Sequence, residues 1–354
     1  MKFLILTDAW HPQVNGVVRT YESLKLHLER LGHEVVVISP EDFRLGVAAP
    51  GYKEIKLACV PYPAVAKKIK AQEADFIHIA TEGPIGWMAR KYCLKSKKAF
   101  TSSYHSQFPH YFALRLSKHV PFMFGIFYKI GIQVIKRFHN ASSGVFVTTK
   151  SMTDELKKWG IKSPILPLTR GIDDTIFNTT KRADADSALG DLKAPVALYV
   201  GRLAIEKNVQ KFLDMPWPEG GTKLVVGHGP LESMFKKKYP NVLFRGKRTG
   251  HELADHYRAA DVFVFPSLTD TFGIVLIEAL ACGVPIAAYP VIGPIDVVKD
   301  DALGVLGDDI GVAAHDALTH GTPEQRRLHV QSHYNWDVAT EQFIKGSEQA
   351  ENEL

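Results

Sequence analysis

Short apolar runs alternate with stretches of helical periodicity along most of the chain, and this restricts the fold more than any other sequence feature. Such runs read as strands of a parallel sheet, and the periodic stretches between them as helices covering its two faces. In the first half, strands are expected at Phe3–Thr7, Glu34–Ser39, Phe76–Ala80, Ala99–Ser103, Val145–Thr148 and Ile165–Leu168. A second series runs through Val196–Val200, Leu224–Val226, Val242–Phe244, Val262–Phe265 and Ile286–Ala288. Between the two series, Arg170–Pro195 is polar and aperiodic, which marks a linker and its flanks. The 354 residues suffice for two packed cores. The expected class is therefore α/β, with doubly wound domains at 1–170 and 171–335. An amphipathic helix at 336–354, with Val338, Phe343 and Ile344 as its apolar positions, is expected to pack back on the first domain. Ligands of open α/β sheets bind at the carboxyl ends of the strands, so the chemistry is expected in a cleft between the two domains.

Composition narrows the class. Charged residues at 23% and a mean hydropathy of −0.07 exclude a wholly disordered chain. The net charge of +5 hides an asymmetry: residues 1–170 carry 25 Lys/Arg against 12 Asp/Glu, and the remainder 18 against 26. No acidic residue lies between Glu82 and Asp154, a stretch that holds Arg90, Lys91, Lys95, Lys97, Lys98, Arg115, Lys118, Lys129, Lys136, Arg137 and Lys150. That half should attract an anionic partner. Cys59, Cys93 and Cys282 share no CxxC or Cys/His spacing, so neither a disulfide framework nor a zinc site is indicated, and a reducing cytoplasm fits. The segment MKFLILTDAWHP has too short an apolar stretch for a signal peptide and reads as a first buried strand. The apolar stretch Val120–Ile135, broken by Lys129, falls short of the roughly 20 residues of a spanning helix.

Four segments carry chemistry. In FPSLTDTFGIVLIEALACGVPI, Phe265–Ile286, a strand leads through Asp270 into a helix expected to open at Thr271-Phe272-Gly273 and to be stopped by Gly283 and Pro285. Exposed amides at a helix start, beside a Gly that lets a ligand approach, suit an anionic or hydroxyl-rich ligand. Glu278, eight residues after Asp270, is placed to accept hydrogen bonds from a diol. In YVGRLAIEKNVQKFL, Tyr199–Leu213, a strand runs into Gly201-Arg202, and Lys207 follows; a fork-shaped and a point cation at one strand end match a diphosphate. TDAWHPQVNGVVRT, Asp8–Thr20, is a strand, a loop with Asn15-Gly16, then a helix, without the GxGxxG of a dinucleotide site. TSSYHSQFPHYF, Thr101–Phe112, sets His105 after a strand, with His110 and Tyr111 beyond it.

These segments, in this order, resemble the retaining nucleotide-sugar glycosyltransferases of the GT-B fold, family four, whose two domains are Rossmann-like. The family motif is Glu, seven residues, Glu, with Phe-Gly after the first; here Asp270 takes the first place, and Asp-Thr-Phe-Gly is similar to the lipid-directed branches. The resemblance implies that Arg202 and Lys207 hold the donor diphosphate and offset charge as it leaves. It implies that His105 and Asp270 each contact the donor sugar as catalytic residues. Gly16, Gly201, Gly227 of VVGHGP, Thr271, Phe272, Gly273, Ile274 and Glu278 are implied on the donor side, and Asn15, Glu82, His110 and Tyr111 on the acceptor side. RGIDDTIFN, IHIATEGPIGWMAR and GPIDVVKDDALGVL extend the likeness over nearly the whole chain.

With no paired-carboxylate signature and no DxD that would hold a metal on the phosphates, the expectation is a metal-independent transfer with retention, without a cofactor. The donor would be a UDP-hexose or GDP-mannose. In Pro121–Asn140, helical spacing gathers Lys129, Gln133 and Lys136 on one face, with Phe124, Phe127, Val134 and Phe138 largely opposite. This reads as a basic amphipathic helix for an anionic membrane, although a crossover helix with its basic face in water has the same pattern. The reading taken forward is a peripheral membrane enzyme of the cytoplasmic face, acting on a lipid such as diacylglycerol. A soluble transferase for a sugar or polysaccharide, a sugar-nucleotide epimerase and a nucleic-acid-binding protein are the other classes; the last leaves the second domain's motifs unexplained.

Overall fold

The computed structural model describes residues 1–352 except 14, 44–46, 50, 51, 58, 59, 106, 181–188 and 191, and only the backbone of 47–49, 52–57, 119 and 352. Cys59 and much of the expected linker therefore lie outside the described residues. The chain forms two units, Met1–Arg170 with Trp336–Leu354, and Gly171–Asn335.

The first unit is built on a parallel sheet of six strands: β1 (Lys2–Leu6), β2 (Glu34–Ile38), β5 (Phe76–Ile79), β6 (Thr101–Ser103), β7 (Gly144–Val147) and β8 (Ile165–Pro167). Their order is β2-β1-β5-β6-β7-β8. A two-stranded antiparallel hairpin, β3 (Val47–Ala49) and β4 (Tyr52–Leu57), is an addition that the periodicity did not announce. β1 is an interior strand paired with β2 and β5, and Phe3, Leu4, Ile5 and Leu6 are all buried, as a strand covered on both faces requires. Six helices connect these strands: α1 (Gly16–Arg30), α2 (Tyr62–Gln72), α3 (Pro84–Ser96), α4 (Phe108–Leu116), α5 (Phe124–His139) and α6 (Lys150–Trp159).

Helix α1 buries Val18, Tyr21, Leu24 and Leu28, and it ends where Gly32 turns to φ 82° and its amide bonds the Glu29 carbonyl. Leu31, just past the last helical residue, is 62% exposed because the chain has already left the helix there. The terminal helix Trp336–Asn352 lies on α1 and the sheet; Phe343 packs on Phe3, Phe146 and His78. Val338 faces solvent instead of the core, and Ala339, Thr340, Ser347 and Ala350 complete the buried side. Small residues suit this face, since Gly346 lies so close to Phe146 that a Cβ would come within 2.6 Å of its ring.

The second unit repeats the plan with β9 (Val196–Val200), β10 (Thr222–Val226), β11 (Leu243–Phe244), β12 (Val262–Phe265), β13 (Ile286–Ala288) and β14 (Gly304–Leu306), ordered β11-β10-β9-β12-β13-β14. β14 was not foreseen. Its first residue, Gly304, lies where a Cβ would meet the Ile286 carbonyl at 2.0 Å. Residues 171–180, counted with the linker by composition, belong to this unit: the buried Arg258, ion-paired with Asp255, donates to the carbonyls of Ile176 and Asn178.

Candidate functional site

In a doubly wound sheet a crevice forms where neighbouring strands send the chain to opposite sides. In the first unit this occurs between β1 and β5, whose ends carry Asp8 and Thr81. Asp8 accepts hydrogen bonds from the amides of Ile85 (3.0 Å) and Gly86 (3.3 Å) in the first turn of α3 and from the Thr81 hydroxyl (3.1 Å). Burial outweighs these donors and pushes its carboxyl up to about 6. Gly83 makes the approach possible, because a Cβ there would lie 2.3 Å from Asp8 Cγ.

The same unit holds a buried polar chain. Arg170 Nη2 donates to His105 Nδ1 at 3.0 Å; His105 Nε2 lies 2.7 Å from the Tyr21 hydroxyl. That hydroxyl also meets Ser103 Oγ at 2.9 Å and His78 Nε2 at 2.7 Å, and His78 Nδ1 faces Thr101 Oγ1 at 2.8 Å. Burial first, and then the Arg170 charge, hold His105 well below the ordinary histidine range; burial alone pushes His78 down to about 3. Both rings are therefore neutral. The imidazole expected at the donor sugar has both nitrogens engaged within the first unit.

The expected acceptor-side residues do separate jobs. Asn15 caps α1, its side-chain oxygen accepting from the amides of Val17 and Val18 at 3.0 Å each, and Gly16 is the exposed first residue of that helix. Glu82 pairs with the buried His139 at 3.1 Å, whose Nδ1 meets Ser102 Oγ at 2.9 Å. His110 and Tyr111 lie on α4, where the His110 ring meets Phe124 edge-on and its buried Nδ1 has no partner among the described residues.

In the second unit the crevice falls between β9 and β12. Gly201 and Arg202 leave β9, and the Gly201 carbonyl sits where a Cβ on Gly227 would be, 1.8 Å away. A Cβ on Gly229 would meet Leu203 O at 2.4 Å. The GHG segment is thus glycine-rich because two strand exits interlock, a packing demand that holds without a nucleotide. Lys207 follows in a single 3₁₀ turn, Ile205–Lys207, and its Nζ reaches Asp270 Oδ1 at 2.5 Å. Asn208, at φ 51°, ties this turn to the Pro266 carbonyl at 3.0 Å.

The helix expected from Thr271 begins at Ile274, with Gly273 as its cap at φ 85°. The motif divides accordingly. Asp270 and Gly273 stay in the loop, Ile274 opens the helix, and Thr271 is buried. Phe272 is 6% exposed and packs on Tyr334 with ring centroids 5.7 Å apart. Glu278 is 1% exposed, and the Tyr257 hydroxyl donates to its Oε2 at 3.0 Å. The structure brings together Lys207 with Asp270, and Gly201 with Gly227.

Residues 14–175 match Glycosyltransferase Family 4, and residues 194–319 match Glycosyl transferases group 1. The chain belongs to the family-four glycosyltransferases. The transferase is 26% identical over 329 residues to a GDP-mannose-dependent alpha-mannosyltransferase of Corynebacterium glutamicum, covering 87% of this chain and 77% of that one. It is 27% identical over 390 residues to an alpha-monoglucosyldiacylglycerol synthase of Streptococcus pneumoniae, covering 98% and 84%. Among solved structures, sucrose-phosphate synthase of Thermosynechococcus elongatus has a TM-score of 0.76 at 22% identity, over 98% of each chain. Anabaena HepE in complex with UDP-glucose has 0.70 at 15%, again over 98% of each. These likenesses carry the GT-B fold.

Sequence reasoning missed Tyr21, His78, Ser103 and Arg170. Tyr21 occupies a buried position of α1, where helical spacing does not tell it from a core residue. His78 did leave a signal, a lone histidine in the apolar run of β5, where a polar ring needs partners.

Proposed function

We propose that the protein is a retaining transferase that moves a hexosyl group from a nucleoside-diphosphate sugar to a lipid acceptor at an anionic membrane surface. Arg202 and Lys207 receive the diphosphate, with the amides of the Ile274 helix start and Asp270 nearby. The bond from the anomeric carbon to the phosphate oxygen breaks, and its electron pair leaves with the nucleoside diphosphate. The acceptor oxygen bonds that carbon from the same face, and its proton passes to the departing phosphate. The two cations stabilise the charge developing on the leaving group, which is where such a site gains most of its rate.

One observation carries the choice of a lipid. The α4–α5 hairpin exposes Phe122 (84%), Ile126 (54%), Ile130 (45%), Leu114 (44%) and Leu116 (43%), with Arg115, Lys118 and Lys129 exposed among them and no carboxylate in that stretch. The basic stripe expected from spacing is thus interleaved with apolar side chains, and Lys136 lies partly buried by Gly160. The hairpin is closely packed: a Cβ on Gly131 of α5 would meet Pro109 Cα of α4 at 2.7 Å. Burying a large apolar side chain contributes about 1.5–3 kcal/mol. A Lys or Arg near an anionic surface contributes about 1 kcal/mol. The apolar term dominates, so salt should weaken attachment without abolishing it. Among the described residues no helix is long and apolar enough to cross a membrane, which leaves attachment to an element of this kind. The diacylglycerol-directed relative of Streptococcus pneumoniae supports the same acceptor class.

The test is to incubate the protein with labelled UDP-glucose, UDP-galactose and GDP-mannose and with vesicles of phosphatidylglycerol containing diacylglycerol. One label is expected to enter the organic extract, and Phe122→Asp is expected to release the protein from the vesicles. Product that remains aqueous with every donor would overturn the lipid reading and favour a soluble sugar acceptor.

A further inference from the structure

We propose that Arg170 is a positioning residue of the transfer reaction: it fixes His105 as the neutral Nε2–H tautomer turned onto Tyr21, and so sets the shape of the β6 exit. This rests on the functional reading above. A guanidinium has only donors, so His105 Nδ1, 3.0 Å from Arg170 Nη2, must accept. A neutral imidazole then carries its proton on Nε2, and the Tyr21 hydroxyl at 2.7 Å takes it. Tyr21 in turn gives its proton into the Ser103 and His78 pair.

The choice of Arg is costly for packing alone. Arg170 is 5% exposed, and its other partners are the carbonyls of Leu168 (3.1 Å) and Thr169 (3.2 Å), so neutral acceptors hold a buried cation. Buried charges are normally matched by an opposite charge, and an apolar side chain of similar volume is usually tolerated as well or better. What a cation does here that an apolar residue cannot is donate to Nδ1 and oppose protonation of the ring. The groups facing His105 act in the same sense: Arg170 from the end of β8, His78 from β5 and His139 from α5 disfavour the imidazolium, and Tyr21 of α1 accepts from the neutral form. Glu82 bears on the cluster through Tyr21. His105 therefore does not serve as an acid or base; the ring is a strut between α1 and the loop that leaves β6.

The assignment can be read directly by nitrogen NMR of histidine-labelled protein, with His105→Asn identifying the resonances. Wild-type His105 is expected to show a protonated Nε2 and an unprotonated Nδ1 at pH 5.5 and at pH 8. Arg170→Met should free the tautomer while burial keeps the ring neutral, with kcat lowered about tenfold and the donor KM nearly unchanged, since small misplacements near the chemistry cost up to about 10²-fold. Arg170→Lys, which keeps a charged donor, should restore part of both. Tyr21→Phe removes the acceptor but leaves Arg170, and should keep the Nε2–H form even if Arg170→Met does not fold. An Nδ1–H ring in wild type or in Tyr21→Phe, or full kcat in Arg170→Met, overturns the proposal. Wild-type protein that transfers no hexose from any donor overturns the functional reading instead, and the spectra distinguish the two failures.

Discussion

Lys207 Nζ and Asp270 Oδ1 are 2.5 Å apart in the second unit, and the other carboxylate oxygen of Asp270 is buried without a partner among the described residues. The residue that shortens the family's usual Glu by one methylene thus already holds the lysine proposed for the diphosphate. If these groups act as proposed, Lys207→Ala and Arg202→Ala each lower kcat at least tenfold, about 1.4 kcal/mol of barrier. Asp270→Asn should lower it similarly, and Asp270→Glu less. Steady-state kinetics at saturating donor measure this, and near-wild-type turnover in both cation variants would remove the assignment.

Asp8 predicts a pH dependence of stability. Folding raises its carboxyl to about 6 through burial, above the roughly 3.9 of an unfolded Asp, so the folded state binds the proton more tightly. The stability this provides is fully present below about pH 4 and is lost as pH rises through about 6. Relative to Asp8→Asn, wild type should lose about 3 kcal/mol between pH 4 and pH 7 in urea titrations. His78 and His105 act in the opposite sense, losing stability as pH falls below 6.5, but they are common to both proteins and cancel in the difference. A difference that is flat with pH would show that Asp8 ionises with its ordinary value.

Two glycines of α5 should respond oppositely to alanine. At Gly125 nothing lies within 4 Å of the new methyl, so helix propensity alone acts and stability rises by up to about 1 kcal/mol. At Gly131 the methyl meets the Pro109 backbone at 2.7 Å, where overpacking costs about 1–3 kcal/mol and exceeds the propensity gain. Melting temperatures should separate the two variants by several degrees, with Gly131→Ala the lower. Equal values would mean that α4 yields at this crossing.

The exposed hairpin gives a prediction on partition. Phe122→Asp and Ile126→Asp should each reduce sedimentation with phosphatidylglycerol vesicles at least tenfold, because each loses more than about 1.4 kcal/mol of apolar transfer. Their melting temperatures should stay at the wild-type value, since both side chains are already exposed. Unchanged sedimentation would move the membrane-facing surface elsewhere.

How far the sequence could be read differs between strands and sites. Strands β9, β12 and β13 fall where the apolar runs placed them, because a strand covered on both faces must be apolar at every position. The hairpin of β3 and β4 and the short β14 carry no such run and were missed. Phe272 and Glu278 were placed on the donor side through resemblance; the structure adds that Phe272, in the loop before the helix, packs on Tyr334, and that Glu278 on the helix accepts from Tyr257.

From the sequence by itself follow the α/β class, the two strand series, the family resemblance and the clustering of cations at the β9 exit, since each is a local pattern of apolar period or motif spacing. Only the tertiary structure decided that Arg170, His105, Tyr21 and His78 form one hydrogen-bonded chain, and that Lys207 meets Asp270. Those partners are 57 to 84 residues apart in the chain. They meet because strand order brings distant exits side by side, and because a buried polar atom cut off from water must find a partner wherever the fold places one.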